Sequence, residues 1–126
     1  MRLPVGPVLP YANTMADCFF CAIADGSAGV NLLVSGGGVV AFRDINPQAP
    51  THVLVIPVAH YPDVAGLGAA EPEVLAELVR VAQQIADAEA GGEFRLVFNT
   101  GAGVGQSVFH VHGHVLAGRG FGWPPG

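Results

Sequence analysis

Ser107-Val-Phe-His110-Val-His112-Gly-His114-Val-Leu116 places three histidines at alternate positions among apolar residues. In an extended strand alternate side chains face the same way, so the imidazoles project from one side while Phe109, Val111 and Val115 fill the other. At roughly 3.3 Å per residue, His110 and His114 lie about 13 Å apart at their backbones, too far for all three to grip one ion from a regular strand. A lone strand histidine is usually a satisfied structural residue. Three in register, on a face that an apolar side chain would fill more readily, are unfavourable to bury without a chemical task. The stretch reads as a reactive surface on a buried scaffold.

Working outward, the preceding loop Thr100-Gly-Ala-Gly-Val-Gly-Gln-Ser107 has glycines at 101, 103 and 105 that let backbone amides approach an anion, and Ser107 adds a hydroxyl. Alone it is an ordinary glycine-rich turn; directly before three aligned imidazoles it reads as a phosphate cradle. A neutral imidazole is a competent nucleophile toward phosphorus near neutral pH, and its neighbours can donate hydrogen bonds to phosphoryl oxygens as charge develops. Further upstream, Phe94, Leu96 and Phe98 alternate with Arg95, Val97 and Asn99, a strand pattern that sets Asn99 opposite the aromatics.

The remaining elements follow from periodicity. Between Pro72 and Ala90, Val74, Leu75, Leu78, Val79, Ala82, Ile85 and Ala86 recur at three and four residues, an amphipathic helix closed by Gly91-Gly92. Val53-Leu-Val-Ile56, ending at Pro57, suits a central strand buried on both faces. Residues 31–35 and 39–43, split by Gly36-Gly-Gly38, read as a hairpin, and residues 18–24 as a short helix ended by Gly26. Five strands with one long and one short helix, on a mainly antiparallel sheet, give an α+β class.

A chain of 126 residues is expected to form one domain over residues 16–126, with residues 1–15 a disordered extension. With 51% hydrophobic and 12% charged residues it is a globular composition with apolar surface to hide in an oligomer. The formal charge of −5 argues against generic nucleic-acid binding. There is no lysine, which removes P-loop, Schiff-base and lysine-base chemistry; phosphate must be held by amides, histidines or arginines. Prolines at 4, 7 and 10 break any signal-peptide core and no apolar run reaches a membrane span, so the cytoplasm is the expected compartment. Cys18-x-x-Cys21 is a poor candidate for a structural disulfide and reads as buried thiols, a redox pair or half of a metal site.

His110-Val-His112-Gly-His114-Val-Leu116 resembles the His-φ-His-φ-His-φ-φ signature of the histidine triad (HIT) family, and its surroundings resemble the Hint branch of histidine triad nucleotide-binding proteins. The supporting segments are Asp17-Cys-Phe-Phe-Cys-Ala-Ile23, Ala41-Phe-Arg-Asp-Ile-Asn-Pro-Gln-Ala-Pro-Thr-His-Val-Leu-Val-Ile-Pro57, Gly105-Gln-Ser-Val-Phe-His110 and Trp123-Pro-Pro-Gly126. The resemblance implies a HIT-like fold whose sheet extends to ten strands across a homodimer. It also implies a purine nucleoside phosphoramidase, releasing a nucleoside monophosphate and an amine through a nucleotidyl-histidine intermediate.

By the same resemblance His112 is the nucleophile, His114 stabilises the phosphoryl oxygens, Ser107 assists the leaving group, and His110 completes the triad. His52 reads either as a group fixing a triad tautomer or as a satisfied strand-end histidine. Asp44 corresponds to a ribose-binding acid. Phe20, Ile23, Phe42, Ile45 and Leu54 correspond to a purine clamp, although from the residues alone each is plain core. Asn99, near the phosphate, and Gly105, Gln106, Ser107, Val108, His112 and His114 complete the nucleotide-binding set, with Trp123 in the tail at the mouth of the partner subunit's cleft. Cys18, Cys21, His60 and His110 offer two sulfurs and two nitrogens, a set suited to a closed structural zinc site and found with zinc in similar bacterial proteins.

Two departures stand out. Gly113 replaces the usual apolar residue between the second and third histidines, which is expected to loosen the catalytic strand. Residues 27–31 lack the usual Ile-Pro and acidic turn. The competing functions are hydrolysis of dinucleoside polyphosphates, which the Trp-Pro-Pro-Gly tail and the Asp-Ile-Asn-Pro-Gln-Ala-Pro block disfavour, and a non-catalytic nucleotide sensor or scaffold, which would not need His112.

Overall fold

The structure, a computed structural model, describes residues 17–126, so the expectation for residues 1–15 lies outside the described residues. Among the described residues three α-helices and five strands follow in order: α1 (Phe19–Ala24), β1 (Val34–Gly36), β2 (Val39–Arg43), β3 (Thr51–Pro57), α2 (Val64–Ala70), α3 (Pro72–Ala90), β4 (Arg95–Val97) and β5 (Gly113–Ala117), with a 3-10 turn at Ala102–Val104 before β5. The five strands form one antiparallel sheet in the order β1-β2-β3-β5-β4.

β3 lies at the centre of the sheet and all seven of its residues are buried, as a continuous apolar run requires. β1 and β2 form a hairpin whose turn residues Gly37 and Gly38 have φ of +66° and +86°, a conformation that glycine adopts without strain. β1 is shorter than the apolar run suggested, covering three residues.

The sheet separates two cores. On one face Val39, Ala41, Val53, Val55, Val111 and Val115 pack against Leu67 of α2 and Leu78, Val81, Ala82 and Ile85 of α3. Pro72 opens α3 at a position where its missing N–H is not needed, and Gly91, at φ +66°, closes it. The buried stripe of α3 differs from expectation at two positions. Val79 points outward and is 44% exposed, while Val81 is fully buried, completing the 78, 81, 82, 85 spacing.

α2 was not anticipated in the sequence because Gly66 and Gly68 weaken its helical signal. Asp63 caps it by accepting from Gly66 N–H at 2.9 Å, and a methyl at Gly68 would lie 3.3 Å from Leu75 Cδ2, so glycine permits α2 to lie close against α3.

On the opposite face Val40, Phe42, Leu54 and Ile56 pack against Cys18, Phe20 and Ile23 of the α1 region. The β2-β3-β5 register aligns Phe42, Leu54 and His114 in one row across this face. Immediately beyond β2, Asp44 N–H donates to the His52 carbonyl at 3.0 Å, setting Asp44 beside His52 in the next row. Gly113 does not leave a void. A Cβ there would lie 3.0 Å from Leu96 Cδ1 and 3.1 Å from Phe98 Cζ, so those side chains occupy the space, and the expected loosening is corrected to a filled contact.

Candidate active site

The histidine stretch delivers its side chains as the alternation required: Val111 and Val115 enter the α3 core while His110, His112 and His114 face the α1 side. Phe109 is half-buried and outside that core cluster. The regular strand, however, begins only at Gly113, and the three imidazoles divide into two groups.

His112 and His114 line a cleft of about 540 Å³, with ring centroids 5.0 Å apart. Its apolar walls include Phe20, Ile23, Phe42, Ile45, Leu54 and Val108, and its polar end holds Asp44 and Ser107. Ile45 is fully exposed and Phe19, a wall residue not singled out in the sequence, is 61% exposed. Two adjacent phenylalanines in Asp17-Cys-Phe-Phe-Cys carry no signal of which one faces out; Phe20 is buried and Phe19 forms the rim. Val30 and Arg43 also border the cleft without having been anticipated, Arg43 with its guanidinium held bidentately by Glu89 at 2.6 and 3.1 Å.

Hydrogen-bond partners assign the imidazole protons. His112 Nδ1 lies 2.9 Å from the His110 carbonyl, an acceptor only, so Nδ1 carries the proton and Nε2 the lone pair. Gln48 N–H donates to His52 Nδ1 at 3.0 Å, which places the His52 proton on Nε2. His52 Nε2 is 2.9 Å from His114 Nδ1, which therefore accepts, leaving the His114 proton on Nε2. Asp44 Oδ1 is held by Asn46 N–H at 2.8 Å, and Oδ2 lies 3.3 Å from His52 Nε2 and 3.9 Å from His114 Nδ1. The cleft thus contains one imidazole presenting a lone pair and one presenting a donor.

Burial disfavours the charged form of each ring. It holds His112 below the ordinary histidine value and brings His114, with the neighbouring His112 and His52 adding to the effect, down to about 4. His52 is lowered by burial against an opposing pull from Asp44. In all three the shift favours the neutral ring.

His110 belongs to a different group. It is fully buried, and its Nδ1 lies 3.4 Å from Cys18 Sγ, 3.4 Å from Cys21 Sγ and 3.2 Å from His60 Nδ1; Cys21 Sγ to His60 Nδ1 is 3.3 Å. His110 Nε2 faces the Pro57 carbonyl at 2.8 Å, so it is the donor and the Nδ1 lone pair points into the cluster. Bonds of about 2.3 Å to sulfur and about 2.0–2.1 Å to nitrogen around a tetrahedral cation separate ligand atoms by about 3.3–3.8 Å. The cluster matches that spacing, and its four ligand atoms lie within 4.8 Å of one another. Burial, then hydrogen bonding and charge from Cys18, push the Cys21 thiol up to about 12, and burial takes His110 down to about 4. These are donors that burial keeps uncharged and that a cation would convert to ligands. The cluster fits zinc.

Several sequence candidates lie elsewhere. Gln106 is buried and turned inward, its amide donating to Pro62 and Val108 carbonyls at 2.6 and 3.1 Å and its Oε1 accepting from Gly101 N–H at 2.8 Å. It shapes the glycine loop from within, a role for which a glutamine among glycines gives no sequence signal. Gly105, Asn99 and Trp123 are not among the residues lining the cleft, nor is His52, which acts from behind His114. Trp123 is 83% exposed, with the Arg95 guanidinium 5.7 Å from its ring, and Arg95 also donates to the Gly122 carbonyl at 2.7 Å. A second cavity of about 550 Å³ lies among Arg95, Arg119 and Phe121 and contains none of the histidines. No helix among the described residues is long and apolar enough to cross a membrane.

Comparison with known proteins agrees with this geometry. Residues 29–121 match the HIT domain. The chain is 45% identical over 86 residues to the purine nucleoside phosphoramidase of Escherichia coli K12, covering 67% of this chain and 72% of that protein. It is 48% identical over 92 residues to a 14 kDa zinc-binding protein of Zea mays, covering 70% and 71% of the two chains. A HIT family hydrolase from Legionella pneumophila superposes with a TM-score of 0.81 at 43% identity, over 86% of this chain and 99% of that one. With the histidine pattern, the sheet and the family match in agreement, the chain belongs to the HIT family.

Proposed function

We propose that this chain is a hydrolase of purine nucleoside 5′-phosphoramidates. The observation that carries the reading is the pair of complementary rings in one cleft: His112 with its lone pair on Nε2, and His114 with its proton on Nε2, beside Ser107. The activity named for the Escherichia coli relative is of this class.

In the first step the His112 Nε2 lone pair forms a bond to phosphorus, the P–N bond breaks, and the amine departs with a solvent proton relayed through the Ser107 hydroxyl. The imidazole becomes cationic, and its Nδ1–H, held on the His110 carbonyl, shares that charge with a backbone dipole. His114 Nε2–H donates to a phosphoryl oxygen, and His52 keeps that proton in place by donating to His114 Nδ1. In the second step water adds to phosphorus, releases its proton to solvent through the Ser107 hydroxyl, and displaces neutral His112, yielding the nucleoside monophosphate. Asp44 accepts from the ribose hydroxyls, and the purine lies between the apolar walls.

Cys18, Cys21, His60 and His110 would hold a zinc ion, which supplies a cross-link and no chemistry at phosphorus. A homodimer would extend the sheet to ten strands and set the Trp123 tail near the partner's cleft, the arrangement that the family resemblance implies; β4 is an edge strand among the described residues. The test is kcat/KM for adenosine 5′-phosphoramidate against diadenosine polyphosphates. Preference for the phosphoramidate supports the reading; preference for the polyphosphate overturns it.

A further inference from the structure

We propose that the Cys18, Cys21, His60 and His110 cluster, once it holds a cation, positions the His112 ring and the α1 wall of the nucleotide cleft, beyond stapling the fold; this rests on His112 being the nucleophile.

Three links connect the cluster to the cleft. The first is His110 itself, whose ring is fixed between the cluster and the Pro57 carbonyl while its own carbonyl accepts the His112 Nδ1–H at 2.9 Å. A rotation of residue 110 that follows loss of its ligand role therefore moves the acceptor that sets the tautomer of the nucleophile.

The second link is α1. At six residues it is too short to hold itself; Cys18 caps it and Cys21 lies within it, and the two thiols flank Phe19 and Phe20, which line the cleft together with Ile23 one turn on. Phe20 packs at near-perpendicular angles on both His110 and His112, with ring centroids at 6.2 and 5.1 Å. One helix thus presents metal ligands on one side and the cleft wall on another, and what anchors the first places the second.

The third link is the backbone. The β5 ladder begins at Gly113, so His110 and His112 lie outside it. Val111 N–H donates to the Tyr61 carbonyl at 2.7 Å and helps tie this segment down, and Tyr61 directly follows His60. Both sides of that tether meet at a ligand of the cluster.

The experiment uses full-length protein loaded with Zn²⁺, stripped by a chelator, and refilled with Zn²⁺ or with Cd²⁺, a larger ion of similar ligand preference. Melting temperature, calorimetric affinity for adenosine monophosphate, single-turnover rate and the ring ¹⁵N spectrum of His112 are read in each state. Stripped protein that remains folded is expected to bind the nucleotide about tenfold more weakly and to react about ten- to a hundredfold more slowly, with His112 passing from a single Nδ1–H tautomer to a mixture. Refilling with Zn²⁺ restores all three, and Cd²⁺ restores melting but only part of the rate. His60→Ala is expected to show the stripped behaviour without rescue.

Stripped or His60→Ala protein that loses melting temperature alone, with affinity and the His112 spectrum unchanged, overturns the proposal, as does a chain that retains no metal. If stripping unfolds the protein, equal rates and spectra with Zn²⁺ and Cd²⁺ overturn it. A Zn²⁺-loaded enzyme inert toward phosphoramidate would condemn the functional reading alone, because affinity and ring spectra still report on positioning.

Discussion

The two faces of the sheet are built from the same strands yet obey different rules. The buried core of the α3 face is valine, leucine, isoleucine and alanine, with Tyr61, Phe94 and Phe98 packed against it. The α1 face mixes Phe20, Ile23, Phe42 and Leu54 with two thiols and several imidazoles whose buried nitrogens each have a defined partner. The first face supplies rigidity without regard to chemistry, and the second spends part of its packing on placing protons. Substitutions on the two faces are expected to separate stability from turnover.

The largest effect is expected from His112→Ala. Removing the attacking nitrogen should lower kcat by about 10⁴-fold or more while nucleoside monophosphate affinity, measured by calorimetry, changes little. Turnover within tenfold of the wild type would break the division between the faces.

On the opposite face, Leu78→Ala empties a fully buried site and should lower unfolding stability by about 2–5 kcal/mol in chemical denaturation, with kcat unchanged at a temperature where the protein stays folded. Gly113→Val tests the contact between the two. The added side chain meets Leu96 and Phe98 and should cost about 1–3 kcal/mol, read by the same denaturation; a stabilised variant would show that the space is open.

The smallest expected effect is a change with pH. Because burial lowers the folded-state values of His52, His112 and His114, the unfolded chain binds more protons, so their contribution is fully present above the ordinary value of about 6.5 and is lost as pH falls toward the folded values, about 4 for His114. Melting temperature should decline across that window, and the acid limb of kcat should fall below the usual histidine range. An acid limb centred at or above the unperturbed value would contradict the burial of these rings.

The difference between the faces also governs what the sequence reveals. α3 was legible because a 19-residue helix repeats its pattern often enough to be read, although the Leu78-Val79-Arg80-Val81 run offers apolar residues at two neighbouring positions and only packing decides between them. α2 was hidden by its two glycines. On the chemical face, alternation placed three imidazoles on one side correctly but said nothing of their division. His110 is drawn to the thiols of a helix some ninety residues away in sequence, a contact that no local pattern encodes. The protons on His52 and His114 depend on a backbone N–H at Gln48, and the inward turn of Gln106 on carbonyls at Pro62 and Val108, which are again tertiary facts.

Attack on phosphorus by His112 Nε2 is tested by acid-free rapid quenching of a single turnover with adenosine 5′-phosphoramidate, followed by peptide mass spectrometry. A transient adenylate is expected on the peptide containing His112, appearing before adenosine monophosphate is released and absent in His112→Ala. An adenylate on Ser107, or full turnover in which no adduct forms at any time, would contradict it.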